Sequence, residues 1–371
     1  MKTMRIVTIL CWIVAAAAIS GLALWFLTGS LFGIGSGKWG VLSSGWRGNW
    51  SVSNSISGWE TLTGPYEVVG VYNVGQDGVD SVRIDWIAGN VSVEPHDGPD
   101  IRITELAQRP LRDDETLRFN TSGSTLTIKF RENGRIGYMP QKRLEVLVPR
   151  EMSDKLNILH AETTSGNLTI DSFSAGTLKA ESLSGNVKVS NVSSRSLDVN
   201  TTSGSITVTN ARADAAVIEA LSGTLRISET TAGSFKCVTT SGNIDASGAF
   251  SNAVLESLSG RVTLNNSASG TGLKAETTSG SLTLTGAFSN VDAESLSGTL
   301  TIRSAVVPSS LKAGTTSGNL NISIPDTGTV NVYQSTTSGK FSSDVPVVLQ
   351  NRGAQFELSS LSGNIKIQVY N

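Results

Sequence analysis

Apolar and polar residues alternate one by one along most of this chain. In residues 273–288, LKAETTSGSLTLTGAF, Leu273 and Ala275 are each followed by a polar residue. After a Ser-Gly pair, Leu282 and Leu284 alternate with polar residues in the same way. A period of two predicts strands that bury one face, and no 3.6-residue period indicates helices. The Ser-Gly pair predicts a turn between two strands, because glycine adopts positive φ without steric cost.

This strand–turn–strand unit repeats. The gaps between successive Ser-Gly pairs are 19, 19, 19, 19, 18, 20, 18, 20, 21 and 24 residues. The predicted turn glycines are Gly166, Gly185, Gly204, Gly223, Gly242, Gly260, Gly280, Gly298, Gly318, Gly339 and Gly363. One unit cannot bury its own apolar face, whereas stacked units can. The sequence therefore predicts an all-β, single-stranded β-solenoid (β-helix).

The residue before each Ser-Gly pair points outward by parity and alternates in type. It is Thr in one set of units and Leu in the other: Thr164, Thr202, Thr240, Thr278 and Thr316, against Leu183, Leu221, Leu258, Leu296 and Leu361. The coil has either 19 or 38 residues. We favour 38, because coils of that length stack Leu on Leu and Thr on Thr, about 4.8 Å apart, in uniform columns. Such a Leu column either binds a partner or is covered by a loop of its own coil.

A second outward position carries carboxylates. The predicted surface ladder is Glu162, Glu181, Glu219, Glu256, Glu276 and Glu294, and lysines stand two residues earlier in several units. Stacked carboxylates can bind a divalent cation. Neighbouring Glu and Lys columns are more typical of a solvated face that provides solubility, and we favour that interpretation.

The N-terminal segment differs from the rest. Residues 6–27 are uncharged and apolar, follow Lys2 and Arg5, and are long enough to cross a bilayer of about 30 Å as a helix. We predict one uncleaved transmembrane helix, a signal anchor, within residues 1–27; a cleaved signal peptide is the alternative. The Cys-poor, Ser/Thr/Asn-rich remainder favours a single-pass cell-membrane protein whose bulk is extracytoplasmic.

Three further regions follow the anchor. Residues 28–65 are a Gly/Ser/Trp-rich linker, residues 66–150 an irregular β lead-in or cap, and residues 151–371 the Ser-Gly repeat solenoid. Residues 108–115, QRPLRDDE, are a charged loop or a short turn of helix. The chain ends on a strand, which predicts either an open edge that pairs with a partner or a protective last coil.

Composition excludes several functions. The 371 residues carry a net charge of −2 and 39% hydrophobic residues, which argues against disorder and against a nucleic-acid footprint. The two cysteines, Cys11 and Cys237, are too far apart for a disulfide framework or a cysteine zinc site, and two histidines are too few for most metal or triad chemistry. We expect no catalytic residues, no cofactor and no metal. Cys237 is expected to be a small core residue.

The apolar N-terminus, a lead-in that ends in Val148-Pro149 and the repeat [ST]-[TL]-S-G-x-[LVI]-x-[VIL] together resemble a bacterial family. It is a β-strand-repeat domain of unknown function often labelled "putative adhesin", and the resemblance covers residues 66–371. It implies an envelope-facing β-solenoid and transfers no catalytic residue. The usual Ser-Gly-Asp corner of that family is replaced here by Ser-Gly followed by Asn, Ser, Thr, Arg or Lys.

The leading hypothesis is a membrane-anchored, adhesin-like binding or cell-envelope scaffold module that is not an enzyme. Its partners would be envelope glycans or proteins, besides the membrane, and not nucleic acid. Three alternatives remain: a self-assembling structural protein like the bactofilins, a regulatory partner in envelope stress, and a glycan-active enzyme that uses Glu276 or a neighbouring carboxylate.

Overall fold

The alternating segments of the repeat region fold into parallel β-strands that stack on one another. A computed structural model describes residues 65–131, 140–326, 328–350 and 355–370. The repeat strands are β8 (Leu156–Ser165), β9 (Leu168–Ser184), β10 (Val187–Ser203), β11 (Ile206–Ser222), β12 (Leu225–Ser241), β13 (Ile244–Ser259), β14 (Val262–Ser279), β15 (Leu282–Ser297), β16 (Leu300–Arg303), β17 (Ser310–Ser317) and β18 (Leu320–Ile324). The predicted all-β, single-stranded β-solenoid is confirmed.

Each coil between Gly166 and Gly318 contains one repeat unit of 18–20 residues. Leu168 pairs with Val187, and Val187 pairs with Ile206, so the chain returns to the same position after one repeat unit. The preference for a 38-residue coil with uniform columns is therefore wrong. Leu183 lies between Thr164 and Thr202 in one column. Because this position faces outward, no core packing forces identical residues to stack.

The inward positions form a narrow apolar core. One column of that core, directly after the corner, is fully or almost fully buried: Leu168, Val187, Ile206, Leu225, Ile244, Val262, Leu282, Leu300, Leu320 and Ile365. Burying each such side chain contributes about 1.5–3 kcal/mol, which a single coil could not obtain alone. Cys237 is buried between Ile218 and Leu255 as a core residue, and burial raises the pKa of its thiol.

The strands before the repeats form one end of the stack, and their order in space differs from their order in the chain. They are β1 (Glu67–Gly75), β2 (Ser81–Ala88), β3 (Val91–His96), β4 (Asp100–Ala107), β5 (Arg118–Ser122), β6 (Thr125–Lys129) and β7 (Lys142–Pro149), followed by helix α1 (Arg150–Ser153). Strands β2 and β3 pair in parallel with β8 and β9. Strands β6 and β7 pair outside them, and β5, β4 and β1 add antiparallel partners.

The other end also departs from chain order. Its strands are β19 (Val330–Thr336), β20 (Phe341–Ser343), β21 (Val347–Leu349), β22 (Phe356–Ser362) and β23 (Ile365–Val369). Strand β22 lies between β17 and β19, and β23 lies between β18 and β20. The expectation of an open edge at the C-terminal strand is wrong, because insertion between two strands satisfies the hydrogen bonds of both its edges.

The predicted membrane anchor and linker lie outside the described residues. Within the part of the chain that the structure describes, no helix is long and apolar enough to cross a membrane. The anchor and the boundaries of the four regions remain predictions from the sequence.

Candidate functional site

The predicted turn glycines lie at one corner of the solenoid, stacked coil upon coil. In ten of the eleven, φ lies between 140° and 157°, and a Cβ added at Gly242 would lie 1.9 Å from the carbonyl oxygen of Gly223. Only glycine fits both restrictions. Gly339 stacks on Gly363, and Gly363 on Gly318, in line with the strand order at that end. Gly89, which the Ser-Gly pattern missed because Ala88 precedes it, is the first glycine of this corner and lies between the Lys142 backbone and Gly166.

Polar side chains beside the corner hold neighbouring coils together. The Oδ1 atom of Asn167 accepts a hydrogen bond of 2.9 Å from the backbone N–H of Asn186 in the next coil, and Asn186 repeats the contact with Ser205. On the inner side, the Thr201 hydroxyl donates to the carbonyl oxygen of Gly185 at 3.1 Å, and Ser or Thr makes this bond in several other coils. These bonds fix the corner and the surface next to it.

The strand segment before the corner presents three outward columns, which we call the ladder face. The first is the basic column, which contains Arg83, His160, Lys179, Asp198, Val217, Lys236, Val254, Lys274, Asp292 and Lys312. The second is the glutamate column, which contains Glu162, Glu181, Asn200, Glu219, Val238, Glu256, Glu276 and Glu294. The third is the alternating Leu/Thr column described above. The six predicted glutamates thus lie in one line.

The first two columns neutralise each other by ion pairs. Lys236 Nζ lies 2.7 Å from Glu219, and Lys274 Nζ lies 2.9 Å from Glu276 in its own coil and 3.8 Å from Glu256 in the preceding one. Burial acts to lower the pKa of Lys274, but the hydrogen bond that its ammonium donates to Glu276 raises it. Partial burial raises the pKa of Glu256, and Lys274 opposes that effect. The middle of the ladder face is therefore a paired, solvated surface.

One end of the ladder face has different chemistry, because a histidine replaces the cation. His160 Nε2 lies 3.0 Å from Glu181 Oε2 and 3.7 Å from Glu162 Oε2. Arg83 Nη2 lies 3.4 Å from Glu162, and Lys179 Nζ lies 3.0 Å from Glu181. Burial acts to raise the pKa of Glu181, but hydrogen bonds from His160 and Lys179 bring it below its usual value. The number of histidines does not reveal this cluster; the signal in the sequence is the place of His160 in the lysine position of the repeat.

The pKa of the glutamate in the preceding coil shifts in the opposite direction. Burial, together with the carboxylate of Asp85, raises the pKa of Glu162. Hydrogen bonds thus outweigh burial at Glu181, whereas burial prevails at Glu162.

A second charged cluster lies inside the lead-in. Lys142 and Glu105 are fully buried and form an ion pair of 2.6 Å. The Lys142 ammonium also donates to the carbonyl oxygens of Glu115 and Phe130 and lies 5.0 Å from the centre of the Trp86 ring. Burial lowers the pKa of Lys142 to about 8. All three donors of the Lys142 ammonium are occupied, so this ion pair is structural.

The second cluster continues into the charged segment 108–115, which forms turns without a helix. Arg109 and Arg112 donate to the buried carboxylate of Glu115 at 2.8–2.9 Å. The hydrogen bond from Arg109 leads the effects that hold the pKa of Glu115 at about 2.

An open groove runs along another side of the stack. It has a volume of about 720 Å³ and is lined by Gly176, Arg195, Arg212, Asp214 and Gly233, among others. Neither the groove nor the ladder face combines a nucleophile with a base and an oxyanion donor among the described residues.

The chain was compared with known proteins. Two stretches, residues 79–252 and 249–370, match the family model described as Toastrack DUF4097. No curated protein matches the chain at a significant level. The seam between the two stretches falls within β13, which pairs along its length with β12 and β14, so the solenoid is continuous there.

Three solved structures illustrate the similarity. A "putative adhesin" from Bacteroides fragilis is 11% identical, covering 58% of this chain and 96% of its own, with a TM-score of 0.42. A "putative adhesin" from Parabacteroides merdae is 14% identical, with coverage of 80% and 95% and a TM-score of 0.35. A "putative cell adhesion protein" from Clostridium sporogenes is 9% identical, with coverage of 82% and 100% and a TM-score of 0.23.

The resemblance inferred from the repeat is confirmed by the family match, which spans nearly all of the described residues. The chain belongs to the Toastrack DUF4097 family.

Proposed function

We propose that this protein is a membrane-anchored, extracytoplasmic binding module without catalytic activity, and that its ligand lies along the ladder face. The observation that carries the proposal is the register of the strands. The same outward position of every coil falls in one column, so Lys, Glu and Leu side chains recur at multiples of about 4.8 Å along the surface. A surface of this kind suits an extended, repetitive ligand better than a compact one.

The chemistry of the ladder face favours an envelope glycan. Glutamate and lysine side chains offer acceptors and donors for hydroxyl groups. Leucines of the third column offer apolar contact next to them, and the side chains of Leu296 and Leu361 are 51% and 47% exposed. Since Thr separates the leucines, the column is a mixed surface and not the continuous apolar stripe that the sequence predicted.

Binding can be tested with the full-length chain and purified cell-wall glycan fragments. The ladder-face variant K236A/K274A/K312A is expected to lower glycan affinity at least tenfold. The matched control K188A/R226A/R303A removes three exposed cations from the strand segment after the corner and should leave affinity within about twofold. Equal losses in both variants, or no binding by the wild type, would contradict the proposal.

The absence of catalysis is tested on the same fragments. We expect no cleavage by the wild type over hours. Cleavage that disappears in E276Q would show a glycan-active enzyme and would overturn this part of the proposal.

The location is supported by the apolar segment at residues 6–27 and by the Cys-poor composition. Protease added to intact cells should digest the solenoid while cytoplasmic markers survive. Protection of the solenoid until the cells are lysed would place it inside.

Self-assembly through the ends is a second candidate, because the outermost strands expose apolar side chains. Val68 and Val71 of β1 are 58% and 45% exposed, and Leu349 of β21 is 59% exposed. Exposed edge strands are templates for pairing with another chain. Light scattering should show concentration-dependent growth that L349K abolishes; a monomer at all concentrations would remove this candidate.

A further inference from the structure

The cluster at His160 has the donor atoms and spacing of a metal site. One imidazole nitrogen and two carboxylate oxygens, from His160, Glu162 and Glu181, all lie within 4.8 Å of one another. Two ligands on one tetrahedral zinc ion stand about 3.3 Å apart. The distances of 3.0 Å and 3.7 Å from His160 to the two glutamates bracket this value. Small side-chain rotations would therefore bring all three atoms onto one ion.

The side chains around the cluster carry a net negative charge that favours a bound cation. Four carboxylates, those of Asp85, Glu162, Glu181 and Asp198, stand in adjacent positions of the two charged columns. Arg83 and Lys179 supply only two permanent positive charges there, so two negative charges are in excess when all four carboxylates are ionised and His160 is neutral. A divalent ion would balance this excess.

The next residue of the glutamate column adds an independent observation. The Oδ1 atom of Asn200 is buried and has no hydrogen-bond partner among the described residues, while its amide nitrogen donates to Asp198 at 2.8 Å. Asn200 neighbours Glu181 in register. A buried oxygen without a donor is costly and favours a positive group nearby.

The comparison with other coils shows what the histidine changes. Lys274 stands in the same column and forms ion pairs with Glu276 of its own coil and Glu256 of the preceding coil, whereas His160 contacts Glu162 of its own coil and Glu181 of the next. At His160 an imidazole, which can give an electron pair to a metal, replaces an ammonium, which cannot. We propose that His160, Glu162 and Glu181 bind one divalent transition-metal ion of the zinc class, with the remaining coordination positions open to water or to a ligand. A donor set that includes imidazole selects zinc-class ions over Ca²⁺ and Mg²⁺.

The test uses the full-length chain after removal of metals with a chelator, and zinc chloride as the probe. Metal content by mass spectrometry and titration calorimetry should show one zinc ion per chain at this site in the wild type. H160K places in this position the residue that other coils carry, so it should keep the fold and lower zinc affinity at least tenfold. H96Q, which changes the other histidine, should bind zinc as the wild type does.

A gain-of-function variant checks the geometry. K274H places an imidazole beside Glu276 of its own coil and Glu294 of the next, as His160 stands beside Glu162 and Glu181, and should add a second zinc ion per chain. Circular dichroism without metal verifies that both variants are folded. Zinc affinity in folded H160K equal to that of the wild type, or no uptake by the wild type, would overturn the proposal.

Discussion

At the scale of single residues, the stacked corner glycine tolerates the least change. Its φ is unfavourable for other residues, and its missing side chain leaves space for the carbonyl of the coil below. Both restrictions arise because each corner glycine lies directly on the corner glycine of the preceding coil.

Replacing Gly242 with alanine should lower the free energy of unfolding by more than about 2 kcal/mol, because strain at φ 157° adds to a displaced backbone. Two alanine controls separate these causes. Gly78 has φ 77° with open space around it, so G78A should lose stability through backbone strain alone. Gly75 has neither a positive φ nor a close neighbour, so G75A should lose least. Denaturant unfolding should rank the losses G242A > G78A > G75A; equal values would contradict the crowding argument.

The buried carboxylate of Glu115 predicts a dependence of stability on acid. Its pKa in the folded state, about 2, lies below the ordinary value near 4.5, so the folded state favours the ionised form. This contribution is complete above pH 4.5 and is lost as the pH falls towards 2. Unfolding measured between pH 2 and 6 should show a smaller acid-induced loss in E115Q than in the wild type. Parallel curves would show that Glu115 does not contribute.

The burial of side chains within the repeat could be predicted from the sequence, and the burial of side chains outside it could not. The parity of each unit correctly assigned inward and outward positions, including Cys237. The buried Lys142–Glu105 pair was not predicted, because charged residues in an irregular segment carry no periodic signal of burial. His160 occupies a lysine position of the repeat, and this position, not the small number of histidines, is the signal of the cluster.

At the scale of the element, a bulge in β14 absorbs the uneven spacing of the repeat. Strand β14 has 18 residues and its neighbours β13 and β15 have 16, and the register shifts on both sides. Asn266 fills the irregularity from inside: its side chain accepts from the Phe250 N–H at 2.7 Å and donates to the Phe250 carbonyl at 3.1 Å. The 18- and 20-residue gaps in the sequence are the signal of this bulge.

Replacing Asn266 with alanine leaves these two buried backbone groups unpaired and should cost about 2–4 kcal/mol. Asn265 is the matched control, since it is adjacent and exposed, and N265A should change stability by less than about 0.5 kcal/mol. Chemical denaturation measures both. Similar small effects in the two variants would show that water or a local rearrangement provides hydrogen bonds to the Phe250 N–H and carbonyl in N266A.

Strand positions followed from alternation, but strand order at the two ends did not. Alternation identifies which face of a strand is buried, and it says nothing about which neighbour the strand pairs with. Strands β22 and β23 look like the last coil in the sequence, yet they lie inside the stack.

At the scale of the whole molecule, the insertion of β22 and β23 between earlier strands predicts the effect of removing the C-terminal residues. Removal of residues 351–371 takes away β22 and β23, so β19 and β20 lose the partners that join them to the column. Hydrogen exchange in residues 330–349 should then become fast, while exchange in β9–β13 should stay slow. Continued protection of residues 330–349 would contradict the inserted order.

The coil length is the central claim, because the columns of the ladder face exist only if each 19-residue unit makes one coil. Spin labels at T169C and N321C, in a chain with Cys11 and Cys237 replaced by alanine, measure it directly. Eight register steps separate these two outward positions. At about 4.8 Å per step, coils of one repeat unit predict a distance of about 38 Å by electron–electron double resonance. A distance of about 19 Å would indicate 38-residue coils and would rule out the columns of the ladder face.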